Sequence, residues 1–434
     1  MFADPAASTF DVIVIGAGAG GICAAVAAAR SGARTLLAER GSSVGGTGVH
    51  APVGLVCQFY ARDGRPVNTG IHRELFTEAY DSWHGTFADT DPVPVYDEAV
   101  LAARYRRLVA AEPQLTVWTD ARMTAVERDG RRIIAVAFAD GRRASSAWWV
   151  DGTADGELGA LAGARFAKGR PSDGRMMTAT LTFRVSGIRL DLLRRPDIRT
   201  WGGIRSLRKE LTPLFAELKA AGGTTNLRRS VLCFPTVDGQ GALFNSTAVA
   251  RVDPTVPGSV EVGRAEAERQ VHELLSAVRR HPAMAGVALD SIAPWLGVRE
   301  GRRIIGDHVL TGDECLGEAR FADMVAACAY SVDIHDPDGS DGRMTEIPGS
   351  GYYHIPWRSL IAADLDNLLL GSRCMSGDFI AHSSYRVISG VTAIGQAAGT
   401  AAALASTGGL PDARVLPAAA IQSALHTAGQ FVEA

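Results

Sequence analysis

Lysine is nearly missing from this 434-residue chain; only Lys168, Lys209 and Lys219 interrupt an otherwise arginine complement. Arginine and alanine richness point to a GC-rich bacterial genome. With 44 basic against 47 acidic residues the formal charge is -3, so no global field draws nucleic acid or anionic lipid. Cysteine is sparse and unclustered. Cys23, Cys57, Cys233, Cys315, Cys328 and Cys374 form no C-x-x-C pair and no Cys/His group with zinc spacing. That excludes a zinc module or a disulfide scaffold and favours the reduced thiols of a cytoplasmic protein. Met1 to Phe10 carries Asp4 and no cationic stretch, which disfavours a signal peptide. One long uncharged run, 387–405, is broken by Gln396 and by small residues. It reads as a helix packed inside the protein, not as a membrane span.

Glycine, in contrast, is abundant: 48 of 434 residues, against an average of about 7%. Such density asks where the backbone turns tightly or approaches something closely. The first answer lies at the start. Asp11 to Ile15 is a short β-branched strand, followed by Gly16-Ala17-Gly18-Ala19-Gly20-Gly21, an alanine-rich helix, a second strand (Arg34 to Ala38) and Glu39. A lone G-x-G-x-x-G is weak evidence, but here strand, turn, helix, strand and acid stand in the order a dinucleotide site needs. Gly16 permits the turn, Gly18 lets the backbone touch a pyrophosphate, and Gly21 lets the helix pack close. The helix N-terminus offers N–H groups to phosphate. Glu39 can accept ribose hydroxyls and disfavours a 2′-phosphate.

After Arg40, the run Gly45-Gly46-Thr47-Gly48 resembles FAD-binding flavoproteins of the glutathione-reductase type. In those, a Gly-Gly-Thr leads the chain along FAD toward the flavin ring. The resemblance implies FAD contacts at Gly45, Gly46 and Thr47, and it brings His50 near the ring. No cysteine pair follows the triplet, which disfavours a dithiol mechanism. Short strands at 115–118, 122–127, 131–138 and 144–150 form an antiparallel meander. The resemblance makes this the crossover sheet of the FAD domain, with Met123 facing the adenine. Val150 to Ala164 (VDGTADGELGALAGA) resembles a second nucleotide-contacting turn, placing Ala154 and Asp155 at the cofactor. The segments REGRRIIGD, GYYHIPWRSLI, NLLLGSRCMS and SSYRVISGVTAIGQAAGTAAA complete a resemblance to the FAD-dependent oxidoreductase family, over about Asp11 to Ala405. That family has no single substrate.

The expected fold class is therefore α/β. It comprises a glutathione-reductase-like, Rossmann-type FAD-binding domain (1–170 plus 345–434), an inserted α+β substrate domain (171–344), and a smaller excursion at 48–96 near the flavin. A strand at Leu368 to Leu370 and a helix beginning around Val387 to Gly390 would aim N–H groups at the flavin, with Ser389 and Gly390 in contact. Whether Arg373 or Asp378 holds the ribityl chain is open from sequence.

A flavin dehydrogenase needs substrate orientation and one proton acceptor. His50, His382 and His354 are the candidates, with Tyr385 as partner of a histidine. Arg386 can clamp a carboxylate or phosphate. Tyr353 can line the substrate pocket, although half-buried core is the plainer reading of Tyr352-Tyr353. Arg299, Arg302 and Arg303 read as an ion-pair network with Glu300 and Asp307. His335 between Asp333 and Asp336 reads as turn chemistry, and no metal is expected.

No second G-x-G-x-x-G follows a strand, so there is no separate NAD(P)H domain. The leading expectation is a dehydrogenase or oxidase that moves hydride from a small polar molecule to flavin N5, with O2 or another electron acceptor. A single-component NAD(P)H-dependent monooxygenase is the alternative, given Asp151-Gly152. A protein of another class, with structural FAD in an isomerase or binding role, is the third. A small-molecule substrate, no nucleic acid and no membrane are the expected partners; a homo-oligomer is compatible with the sequence.

Overall fold

A computed structural model describes residues 8–338 and 342–433. Of the segment read for a targeting signal, only residues 8–10 are therefore described. Strand β1 (Ser8–Ile15) leads into helix α1 (Ala19–Arg30) and strand β2 (Thr35–Ala38). The apolar stretch Val12 to Val14 is wholly buried, as a parallel strand covered on both faces must be. Strands β3 (Leu115–Trp118), β4 (Met123–Asp129), β5 (Arg132–Phe138) and β6 (Arg143–Asp151) bring this sheet to six of its seven strands, in the order β3-β2-β1-β6-β5-β4.

β1 lies between β2 and β6, parallel to both. The meander β4-β5-β6 is antiparallel, as the Gly-bounded short strands predicted, but the strand at 115–118, expected in the same meander, pairs in parallel with β2. β6 has two neighbours along one edge. β5 pairs with its beginning, at Arg143 to Ser145, and the strand Leu368–Leu370 pairs in parallel with its end, at Trp149 to Asp151. A segment more than 200 residues away in sequence thus finishes the strand end beside the glycine turn.

The helix Ile388–Thr407 lies inside the molecule, with nearly all of its residues buried. It is long and apolar enough to cross a membrane, but 89% of its apolar window is buried in protein. Glycine explains the packing. A Cβ at Gly395 would sit 2.0 Å from the Gly20 carbonyl oxygen, and one at Gly399 1.9 Å from that of Ala24. Two helix backbones therefore meet without intervening side chains.

A second apolar core draws on Val93 and on residues between 179 and 298. Its sheet is antiparallel, in the order Ala288–Ile292, Phe183–Ser186, Gly241–Phe244, Cys233–Pro235. The helices Trp201–Ala220 and Ser259–Val278 bury Leu207, Leu211, Phe215, Val271 and Leu274 in the same core. The first helix has no clear sequence signal, because it opens on Gly202-Gly203 and contains Pro213. Thr200 caps it through the Gly203 N–H at 3.2 Å, and an apolar stripe overrides the weak propensity. Thr178 to Val185 alternates in sequence as a half-buried strand would, but the regular strand is shorter, and of 178–185 only Arg184 is not buried. Only Phe183–Ser186 is regular strand, and Thr178, Thr180 and Thr182 are all buried. Side chains of 304–334, including Ile304, Leu310, Cys315 and Val325, join the first core.

Candidate cofactor and substrate site

The glycine turn performs two separate tasks. Gly16 adopts φ +95°, and a Cβ there would meet the Thr153 nitrogen at 2.8 Å. A Cβ at Gly21 would fall 1.8 Å from the Gly16 carbonyl oxygen. These two glycines let α1 start directly against the end of β1. Gly18 differs: nothing lies within 4 Å of where its Cβ would be. It is the N-cap of α1 and no side chain caps the helix, so the first-turn N–H groups face open space.

That space is a cavity of about 500 Å³. Gly16, Gly18, Ala19 and Gly20 form one wall, Glu39 and Arg40 another, and Gly46 and Thr47 continue it. Met123, Ala154, Asp155 and Arg373 line it as well. The Glu39 carboxylate is fixed from two sides, accepting from the Ala17 N–H at 2.7 Å and the Gly41 N–H at 2.8 Å. Arg373 ties the wall together. It donates to the Ala154 carbonyl at 3.0 Å and pairs with Asp155 at 3.0 Å. Ile388 and Val391 bring the start of the Ile388–Thr407 helix to the same space, and that helix also lacks a side-chain cap. The Val391 carbonyl oxygen would lie 3.1 Å from a Cβ on Gly20. Arg386 lines the cavity too, as do Trp295 and Arg264 from the chain segment of the second core.

Other sequence candidates stand behind the wall. Gly21 and Gly390 are packing positions; a Cβ at Gly390 would lie 2.4 Å from the Tyr385 carbonyl oxygen. Gly45 takes φ +129° against Val49, and its N–H reaches the Ala17 carbonyl at 2.8 Å. Ser389 is buried and donates to the Gln58 carbonyl at 3.3 Å. Asp378 caps the helix Phe379–Tyr385 through the Ala381 N–H at 2.7 Å, and its other oxygen accepts the Gly312 N–H at 3.0 Å. Both Asp378 oxygens are thus engaged in holding the fold, whereas Arg373 faces the cavity.

The histidines separate too. His50 stacks on the cavity residue Trp295 with ring centroids 4.3 Å apart and shares a hydrogen bond with Ser43 at 3.1 Å. Burial lowers its pKa, against the Glu39 charge. His382 is 1% exposed, neither ring nitrogen has a partner, and burial holds its pKa well below 6.5. Tyr385 donates to the Met375 carbonyl at 2.9 Å. His354 is bound to Glu433 at 2.7 Å and accepts the Phe321 N–H at 3.1 Å. Tyr353 is fully buried and donates to Ser384 at 2.8 Å. The Tyr352-Tyr353 pair is thus more deeply buried than the half-buried core expected of it.

The wall residues Pro254, Val260, Arg264, Trp295 and Leu296 carry no motif, and sequence reasoning missed them. Ile388 and Val391 had a signal, since they directly flank Ser389 and Gly390 at the helix start.

Residues 11–425 match the family described as FAD dependent oxidoreductase. The chain belongs to that family. Its cofactor is FAD, and the cavity suits it. The Gly18 backbone leaves room for a close-lying pyrophosphate, a carboxylate stands at the end of β2, and two uncapped helix starts meet the same space. Among solved structures, this FAD-dependent oxidoreductase is similar to a geranylgeranyl bacteriochlorophyll reductase-like protein of Thermoplasma acidophilum (12% identity, 98% of this chain and 84% of that one, TM-score 0.47). It is also similar to GidA of Aquifex aeolicus (13%, 92% and 64%, TM-score 0.44) and to a PqsL variant of P. aeruginosa (12%, 97% and 91%, TM-score 0.44). The family assignment rests on the match along the sequence.

Beside the cavity this oxidoreductase buries a group of charges whose arrangement departs from expectation. Of the arginine triplet, Arg303 forms the anticipated ion pair with Glu300, fully buried. Asp307 pairs instead with Arg414 at 2.8 Å. Arg302 reaches the Asp155 carbonyl at 3.3 Å and lies over the Phe166 ring. Arg299 is 7% exposed and, among the described residues, has no carboxylate within 4 Å. It donates to the Thr178 carbonyl and, at 3.5 Å, to Asn245 Oδ1. Burial, then the charges of Arg386 and Arg228, bring its pKa down to about 9.

The DIHDP segment is likewise no mere turn. Val332–Ile334 is a strand, and Asp333 accepts from Tyr330 at 2.9 Å, from His335 at 3.2 Å, and stands 3.6 Å from Arg386. Burial pushes the His335 pKa down to about 3, and the nearby Arg299 charge adds to it. Asp333 is held far below the usual carboxylate range because His335 and Arg386 outweigh its burial. Cys57 lies within the electrostatic reach of Arg386 and Asp333, and burial raises its thiol to about 12.

Proposed function

We propose that this chain is a dehydrogenase or oxidase that oxidises a small polar molecule, built as a glutathione-reductase-type FAD domain (1–170 and 345–434) with a substrate domain at 171–344. One observation carries the reading. The cavity lined by the Gly18 cradle is also lined by Trp295, Arg264 and Arg386, so the nucleotide motif shares one space with side chains from outside it. One site thus has groups for a nucleotide and groups for a substrate, and the sequence holds no second dinucleotide motif. Bound FAD supplies the two-electron acceptor.

The chain's own residues do the rest. Gly16, Gly18 and Glu39 hold the adenosine diphosphate part, and Thr47, Met123, Ala154 and Arg373 hold the cofactor in line. The uncapped start of Ile388–Thr407 favours negative charge in the same space. His50, with its pKa lowered by burial, is neutral at pH 7 and takes the substrate proton. Trp295 packs against its ring and Ser43 shares a hydrogen bond with its Nε2. His382 and His354 act in packing, since one is sealed and the other is bound to Glu433.

The test is anaerobic mixing of the holoprotein with a panel of small alcohols, amines and hydroxy acids, read as bleaching of flavin absorbance. Bleaching by a substrate, slowed about 10²–10⁴-fold by His50→Ala, supports the reading. Rapid bleaching by NADH or NADPH alone would sink it in favour of a monooxygenase.

A further inference from the structure

We infer that Trp295 is a stacking platform for a planar conjugated ring, with the His50 imidazole on one face of its indole and the bound ring on the other. This goes beyond the oxidase reading, because a flat ring is recognised by shape whatever reaction follows. The His50 ring lies 4.3 Å from the indole, centroid to centroid, at an interplanar angle of 36°. That contact covers one face. The residue also lines the cavity, and among the described residues no second ring packs on it. Of the described tryptophans it alone is exposed, at 37%, whereas Trp83, Trp148, Trp149, Trp201 and Trp357 are buried.

This exposure does not come from a loose segment. Alternate N–H groups are bound: Ala293 donates to the Thr182 carbonyl at 2.9 Å, Trp295 to that of His50 at 2.9 Å, and Gly297 to that of Thr180 at 2.7 Å. Arg264, itself a cavity residue, donates to the Ala293 carbonyl at 2.8 Å. The indole is thus held out on a braced backbone, and little conformational freedom is left to lose when a ligand binds. An exposed indole adds little to the core. It gains its contact area when a ligand covers it. Pro254, Val260 and Leu296 line the same cavity and are apolar, so the ring is held by dispersion and not by hydrogen bonds. Such a ring has two sources, FAD and the substrate, and both present the same flat surface.

Two titrations, neither requiring turnover, separate the sources. In the first, apoprotein is titrated with FAD and read by quenching of flavin fluorescence, for the wild type, Trp295→Phe and Trp295→Leu. If FAD supplies the ring, Trp295→Leu raises the dissociation constant about ten-fold or more and Trp295→Phe keeps most of the affinity. In the second, FAD-loaded protein is titrated by calorimetry with benzyl alcohol and with its saturated counterpart, cyclohexylmethanol. If the substrate supplies the ring, the wild type prefers the flat alcohol about ten-fold, Trp295→Phe keeps the preference and Trp295→Leu abolishes it. FAD affinity unchanged in Trp295→Leu, together with no planar preference or one that this variant retains, overturns the platform. Equal losses in Trp295→Phe and Trp295→Leu also overturn it, because they mark a structural role. If Trp295→Leu does not fold, Trp295→Met, bulky but without a ring, takes its place. The oxidase reading fails separately, through bleaching by NAD(P)H, which leaves both titrations as they are.

Discussion

Gly18 and Gly21 belong to one motif and stand three residues apart, yet they predict opposite phenotypes. Gly18 has extended backbone, φ -78°, and open space where a side chain would go. Gly18→Ala should leave the melting temperature of the cofactor-free protein unchanged and raise the FAD dissociation constant at least ten-fold, measured by quenching of FAD fluorescence. Gly21→Ala drives a methyl into the Gly16 carbonyl, so the fold itself should lose about 1–3 kcal/mol by urea titration. Equal effects of the two variants on apo stability would refute the division of labour. Both glycines were legible in sequence because the motif is local. Arg299 was not, because its state depends on Thr178, Asn245 and Arg386, which only the fold brings near it.

At the scale of elements, the contact between α1 and Ile388–Thr407 reverses an ordinary rule. In an isolated helix, alanine is favoured over glycine by about 1 kcal/mol. At Gly399 a Cβ would stand 1.9 Å from the Ala24 carbonyl oxygen. Gly399→Ala should therefore destabilise the protein by about 1–3 kcal/mol, visible as a lowered urea midpoint, and it should loosen FAD as well because α1 carries the cradle. A stabilised variant would contradict the backbone contact. The small residues of 387–405 announced a tightly packed helix in the sequence, but not its partner. The helix Trp201–Ala220 stayed hidden for the converse reason, since its Gly-Gly and Pro are local signals against helix and only the apolar stripe against the second core outweighs them.

For the whole molecule, buried histidines set the response to acid. Burial pushes His72 and His335 each down to about 3, against about 6.5 in an unfolded chain. Both are neutral in the folded state, so the stability they confer is fully present above pH 6.5 and is lost as pH falls toward 3. Asp151 works the other way. Burial raises it to about 6 from 3.8, so it gains stability on acidification between those values. Two histidines against one aspartate leave a net loss on acidification between pH 6 and 4. His72→Phe should flatten the dependence by about 1.4 kcal/mol per pH unit, in urea titrations at pH 6, 5 and 4. An unchanged slope would show that His72 is not held neutral. Composition could count these histidines but could not say which of the ten would be sealed in.

The shared edge of β6 carries a consequence for how the molecule is made. The strand Leu368–Leu370 closes against Trp149 to Asp151, and the Gly371 carbonyl meets Gly20 at the cradle. During synthesis the nucleotide turn emerges first, but its floor arrives some 350 residues later. Pairing at such separation is slow and cannot be hastened by local propensity. The nascent chain must therefore carry its cradle half-built, with an open apolar strand end, until residues 368–371 leave the ribosome. FAD capture waits for this segment, and a chain released before Leu368 would carry the motif for the cofactor without the strand that closes its floor.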